Sequence, residues 1–169
     1  METRADLIFK WSVYSAVAAL LLLMQRFLPE LRLFGVTLFL PPVLAALVAA
    51  LEPGQQGILF AGCFGLLCDW ALLGPIPCFY LTSFVLIALL SLLISGRIVS
   101  ARLILSLAVS AAAIVLGAAL QLLILLFRGG APFGAVLLTC GRELLLTMPF
   151  VVPLHFLLTA LHRRLHFYN

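Results

Sequence analysis

Three charged side chains lie inside apolar stretches of this 169-residue sequence and are its first chemical candidates: Asp69, Arg142 and Glu143. A charge at the centre of a bilayer costs about 2.5–3.5 kcal/mol on insertion scales, so one that is kept there has a task. Three tasks are open to them: pairing between helices, contact with a partner, and holding a proton or substrate. Arg142 and Glu143 are adjacent, point about 100° apart on a helix, and cannot pair face to face. Asp69 follows Gly65 by four residues and precedes Gly74 by five, near the end of its apolar run. At about 1.5 Å per residue, Asp69 lies roughly 7 Å from its turn and Arg142 roughly 13 Å into the last run. An arginine can bend across that difference, and an acid and a base at similar depth are best stabilised by meeting. This predicts adjacent third and sixth helices with an Asp69–Arg142 contact, leaving Glu143 for another helix or a partner.

Other chemistries find less support. Serine hydrolysis needs a serine and a histidine on facing helices, with oxyanion donors. His155 is the one intramembrane histidine candidate, and no serine sits in a glycine-flanked elbow. Asp69 and Glu143 are two carboxylates, as an aspartyl dyad requires, but neither lies in a recognisable motif. His162 and His166 have the four-residue spacing of a helical metal pair but no third ligand follows, so they read as a basic interfacial tail. Cys63, Cys68, Cys78 and Cys140 form no C-x-x-C pair and read as small buried hydrophobes. No catalytic residue, cofactor or metal is expected, and no clustered basic surface points to nucleic acid. Gly62 and Gly65 belong to packing: small residues let helices approach closely, which drives assembly in lipid. Ala45 with Ala49, Ala61 with Gly65, and Ala113 with Gly117 have the same four-residue spacing.

The elements that position these residues follow from composition. Hydrophobic residues are 65% of the chain and charged residues 9%, against about a half and a quarter in a soluble domain. A soluble fold of this size has too little interior for so much apolar side chain. Continuous apolar runs exclude an alternating transmembrane barrel. The expectation is an all-α polytopic membrane protein, one transmembrane domain over 1–169, with helices near 11–28, 33–51, 57–73, 79–94, 103–127 and 133–161. Pro41-Pro42 kinks or restarts the second helix, and Pro149 and Pro153 fall inside the sixth. The first run is read as a retained helix, since no small-x-small site precedes a soluble domain. Six spans place both termini on one side, with Arg4, Lys10, Arg97, Arg102, Arg163 and Arg164 there. Arg26, Arg32 and Arg128 lie opposite, so both termini are expected in the cytoplasm.

Taken in order, these features resemble the bacterial rod-shape-determining protein family MreD. The most specific stretch is Gly62-Cys63-Phe64-Gly65-Leu66-Leu67-Cys68-Asp69-Trp70-Ala71-Leu72-Leu73-Gly74. It is similar to the family's glycine-rich third helix, G-x-x-x-D followed by a glycine turn. The proline-containing run ending at Glu52-Pro53, the basic loop over 97–102, and Glu143-Leu144-Leu145-Leu146-Thr147-Met148-Pro149 before a basic tail carry the rest. The sequence departs after Asp69, where the glycine comes one residue late and a second turn glycine is replaced by Pro75 or Pro77. The resemblance implies a non-enzymatic component of the cell-elongation complex in the bacterial inner membrane. Its implied partners are a single-span protein of the MreC type, the MreB filament and peptidoglycan synthases. It further implies a fold similar to the substrate-binding subunits of energy-coupling-factor vitamin transporters. That likeness supplies the alternative, a vitamin-binding transporter subunit with a pocket on its outer face where polar or aromatic groups converge.

Overall fold

The computed structural model describes residues 4–27, 32–33, 36–37, 40–52, 54–72, 76–96, 102–127 and 133–166. These form helices α1 (Arg4–Phe27), α2 (Pro41–Leu51), α3 (Gln55–Ala71), α4 (Phe79–Ser95), α5 (Arg102–Phe127) and α6 (Phe133–His166). Between α1 and α2, the two-residue strands β1 (Arg32–Leu33) and β2 (Val36–Thr37) pair antiparallel, Arg32 opposite Thr37. Among the described residues, three stretches are long and apolar enough to cross a membrane: Ile8–Gln25, Leu103–Phe127 and Leu137–Leu161. The shorter apolar helices are α2 and α4.

The second helix departs from expectation. It does not run over 33–51 but begins at Pro41, with the β1–β2 pair ahead of it. The two prolines occupy its first turn, where a helix has no use for their missing N–H and their fixed φ suits it. They start the helix rather than bend it. Its 11 residues rise only about 16 Å, half the thickness of a hydrocarbon core. Every residue from Pro41 to Ala49 is buried. The sequence PPVLAALVAAL has no polar face, and a helix that is apolar all round belongs inside. Accordingly α2 is the central post, packed chiefly by α3, α4 and α5 and more lightly by α1 and α6.

Successive helices run antiparallel: Tyr14 meets Glu52, Ala49 meets Gly57, Gly65 meets Leu81 and Ser106 meets His155, and the start of α4 shares a cavity lining with the later part of α5, Phe79 with Gln121. The bundle therefore has a Glu52 end, where α1, α3 and α5 begin, and an Asp69 end, where α4 and α6 begin. Two glycines make the sharp α2–α3 connection. Gly54 has φ +117°, which side chains rarely tolerate. A Cβ at Gly57 would stand 2.6 Å from the Glu52 carbonyl oxygen and 2.9 Å from the Ala49 Cα.

A chain of rings crosses the bundle. Tyr14 meets Phe60 at 6.2 Å, Phe60 meets Phe64 at 5.9 Å, Phe64 meets Phe84 at 5.6 Å, and Phe84 meets Tyr80 at 6.0 Å. Polar side chains are turned inward, Ser83, Ser91, Ser106, Ser110, Thr147 and His155 among them. Large apolar ones such as Leu59, Trp70, Ile104, Phe127, Leu145 and Phe156 face outward. Polar groups inside and apolar groups outside is the arrangement hydrocarbon favours.

Candidate functional site

Asp69 stands near the C-terminus of α3 and reaches into the start of α4. One carboxylate oxygen accepts the Tyr80 N–H at 2.9 Å and the other accepts the Leu81 N–H at 3.0 Å. The first four N–H groups of any helix lack intrahelical partners. Here the residue at the N-cap position, Cys78, is left-handed (φ 59°) and offers no side-chain cap. A carboxylate from the preceding helix does its work, a charge-assisted contact at the positive end of the helix dipole.

Gly65, one turn before Asp69 on the same face, explains how the two helices come so close. A Cβ there would lie 2.7 Å from the Leu81 Cα, 2.8 Å from the Tyr80 carbonyl oxygen and 2.9 Å from the Leu81 nitrogen. All three are backbone atoms that cannot swing aside. G-x-x-x-D is thus one device: the glycine admits the first turn of α4, and the aspartate four residues on caps it. Gly62 differs, since a Cβ there would meet only the Val85 and Leu81 side chains at 3.7 and 3.8 Å, ordinary contact. Gly74 lies outside the described residues.

The expected Asp69–Arg142 pair is not formed. Both Asp69 oxygens are engaged by amides, and Arg142 is exposed on α6. The main neighbours of α3 are α4 and α2, whereas those of α6 are α5 and α2. Depth along a helix axis says nothing of position around the bundle, and the nearest positive group to Asp69 was backbone. Pro149 and Pro153 are exposed, and α6 continues through both.

Glu143, half-buried, lines a partly open cavity of about 30 Å³ between α2, α4, α5 and α6. That space holds about two water molecules. Ser83, Thr147 and Gln121 are its other polar lining residues apart from Tyr80, and Phe79, Tyr80 and Phe84 supply aromatic walls. The Ser83 hydroxyl is buried without a hydrogen-bond partner. The transporter alternative called for converging polar and aromatic groups, and this cavity, near the Asp69 end, is where they converge.

Two buried clusters were missed by the reading of the sequence. Lys10 Nζ lies 2.6 Å from Glu52 Oε2, with the side chains 8% and 10% exposed, and the Tyr14 hydroxyl donates to Glu52 Oε1 at 3.3 Å. Lys10 also lies 5.9 Å from the centre of the Trp11 ring. From the sequence Lys10 reads as a terminus-side basic residue and Glu52 as the end of a proline-containing run. The available signal was Lys10 and Tyr14 at helical spacing on a face that must meet the next helix.

In the second cluster the Ser106 hydroxyl and His155 Nδ1 are 2.6 Å apart across α5 and α6, with Thr159 Oγ1 3.5 Å from Nε2. A serine facing a histidine is the start of a hydrolytic dyad. Ser106 is the fifth residue of α5, however, one turn from its start, and its own N–H is taken up by the helix. Neither residue lines the cavity. The pair links α5 to α6 by a hydrogen bond, a contact worth about 0.6 kcal/mol on average in a membrane. Among the described residues no three His, Cys, Asp or Glu side chains are grouped to hold a metal. No family model, curated protein or solved structure matches the chain.

Proposed function

We propose that the chain is a non-enzymatic scaffold of the MreD type, a component of the bacterial cell-elongation complex in the inner membrane. In this reading all six helices form the membrane domain, with α2 enclosed by the other five and both termini cytoplasmic. The fold is then similar to that of the energy-coupling-factor substrate-binding subunits. Its partners are an MreC-type single-span protein and, directly or through it, the MreB filament and the peptidoglycan synthases.

One observation carries most of the support. The stretch that gives the family resemblance its specificity, Gly62 to Gly74, contains the device that locks α3 to α4 through Gly65 and Asp69. A motif spent on rigid helix packing suits a protein that presents a surface to partners better than one that turns over substrate. The test is affinity purification of the full chain from its host membrane in mild detergent. Recovery of a single-span protein with a large soluble domain is expected. Recovery of a nucleotide-hydrolysing transporter module instead would overturn the reading.

The second reading, a vitamin-binding transporter subunit, is favoured by the cavity beside Glu143. Radiolabelled vitamin uptake that depends on this chain would establish it.

A further inference from the structure

We propose that the cavity beside Glu143 is a binding site for an organic ammonium group, a primary amine head on a short apolar stem. The inference rests on the cavity and not on the elongation reading. Glu143 lies six residues inside the apolar stretch Leu137–Leu161, or about 9 Å along the axis. Among the described residues it has no ion pair or hydrogen bond. A carboxylate without a partner at such depth is costly, and a cation relieves that cost. Independently, Ser83, only 3% exposed, places an unpartnered hydroxyl on the same cavity. An unpartnered carboxylate on α6 and an unpartnered hydroxyl on α4, which can accept as well as donate, line one cavity, and a cation that only donates can satisfy both.

The lining narrows the choice of ligand. It includes no Lys, Arg or His, so nothing there neutralises an anion. The first amides of α4, which could attract one, are covered by Asp69. A hard metal cation wants six or more oxygens. The lining side chains carry six at most, two on Glu143 and one each on Ser83, Thr147, Tyr80 and Gln121, with a single negative charge among them, a low ligand charge for a divalent ion. The remaining walls are the rings of Phe79, Tyr80 and Phe84 and the aliphatic Ile87 and Ile114. An ammonium head has three donors and is attracted to ring faces as well as to a carboxylate. Room for about two waters admits such a head with one or two carbons. The amine comes either free in solution or as a lysine side chain on another membrane helix, and both present the same chemistry.

The test uses the full chain in phosphatidylcholine nanodiscs at fixed ionic strength. The first arm measures equilibrium binding of radiolabelled methylammonium, with sodium chloride as the competitor control. The second measures capture of a synthetic 20-residue apolar helix carrying a central lysine, against the same helix with norleucine. Saturable binding of either probe, weakened at least tenfold in Glu143→Gln and several-fold in Ser83→Ala but unchanged in Arg142→Gln, is expected. Methylammonium binding identifies a free amine as sufficient; capture of the lysine helix alone assigns the amine to a neighbouring chain. Should Glu143→Gln fail to fold, Glu143→Asp and Ser83→Ala together decide the matter, and binding unaltered in both overturns the proposal. Binding of neither probe to the unsubstituted chain, or binding unaffected by Glu143→Gln, overturns it as well.

Discussion

The two ends of the bundle hold their acids differently, Glu52 buried and Asp69 half-buried. At the Glu52 end the carboxylate meets a full opposite charge and a phenol, Lys10 and Tyr14, both from α1. At the Asp69 end the carboxylate meets no side-chain cation among the described residues and is held by two backbone amides of α4. Glu143, also toward that end, meets neither. In the first arrangement, removing the acid strands a cation. In the second it uncaps a helix whose amides retain some alternatives. In the third nothing is left stranded. Three acids in similar apolar surroundings should therefore differ widely in what their loss does.

Glu52→Ala should show the largest effect, about 3–5 kcal/mol, the usual consequence of leaving one member of a buried pair alone. Mixed-micelle unfolding should show it, and the double variant Lys10→Met with Glu52→Met should recover most of the loss. Simple additivity of the two single substitutions would mean that the pair is solvated and erase the contrast between the ends.

Gly65→Ala comes next. Its Cβ meets backbone at under 3 Å, an overpacking that costs about 1–3 kcal/mol and also draws Asp69 off its amides. Gly62→Ala, with only side-chain contacts at 3.7 Å and beyond, should lie within about 0.5 kcal/mol of the parent. Equal melting temperatures for the two variants would dissolve the G-x-x-x-D device.

Asp69→Asn keeps an acceptor for one amide and loses the charge, so a cost of about 1 kcal/mol is expected, in the range of helix caps. Amide hydrogen exchange should quicken at Tyr80 and Leu81 and hardly at all in the second half of α4. Smallest of all, Glu143→Gln should leave stability unchanged or slightly raised, since it removes an uncompensated charge. A fall of several kcal/mol would reveal a partner for Glu143 within the chain.

Much of the architecture was legible because it is written in composition. Long apolar runs read as helices, and four of the six begin within two residues of the expected starts, while α1 begins seven residues earlier, at Arg4. The second helix was misplaced because one apolar run holds two structures. Leu33, Val36 and Thr37 are as compatible with a short hairpin as with a helix, and only the placement of Pro41 and Pro42 in the first turn decides between them. Within the candidate site, the kinship of Gly65 and Asp69 was visible as spacing, and its purpose was not. Nothing in the sequence says that the surface Gly65 clears is the first turn of α4. The Asp69–Arg142 pairing failed for a related reason. Sequence gives depth along each helix but not the order of helices around α2, and backbone amides compete for acids without leaving a mark in the residue pattern. Ser106 and His155, 49 residues apart, had no local signal at all.

If the chain is a scaffold for cell elongation that depends on the α3–α4 junction, cell shape must respond to both. Depletion of the chain in its bacterial host, followed by microscopy of cells carrying the parent, Gly62→Ala or Gly65→Ala, reads function and junction together. Rounded cells on depletion, restored to rods by the parent and by Gly62→Ala but poorly by Gly65→Ala, are the predicted result. Cells that stay rod-shaped on depletion while losing uptake of a vitamin would contradict the account.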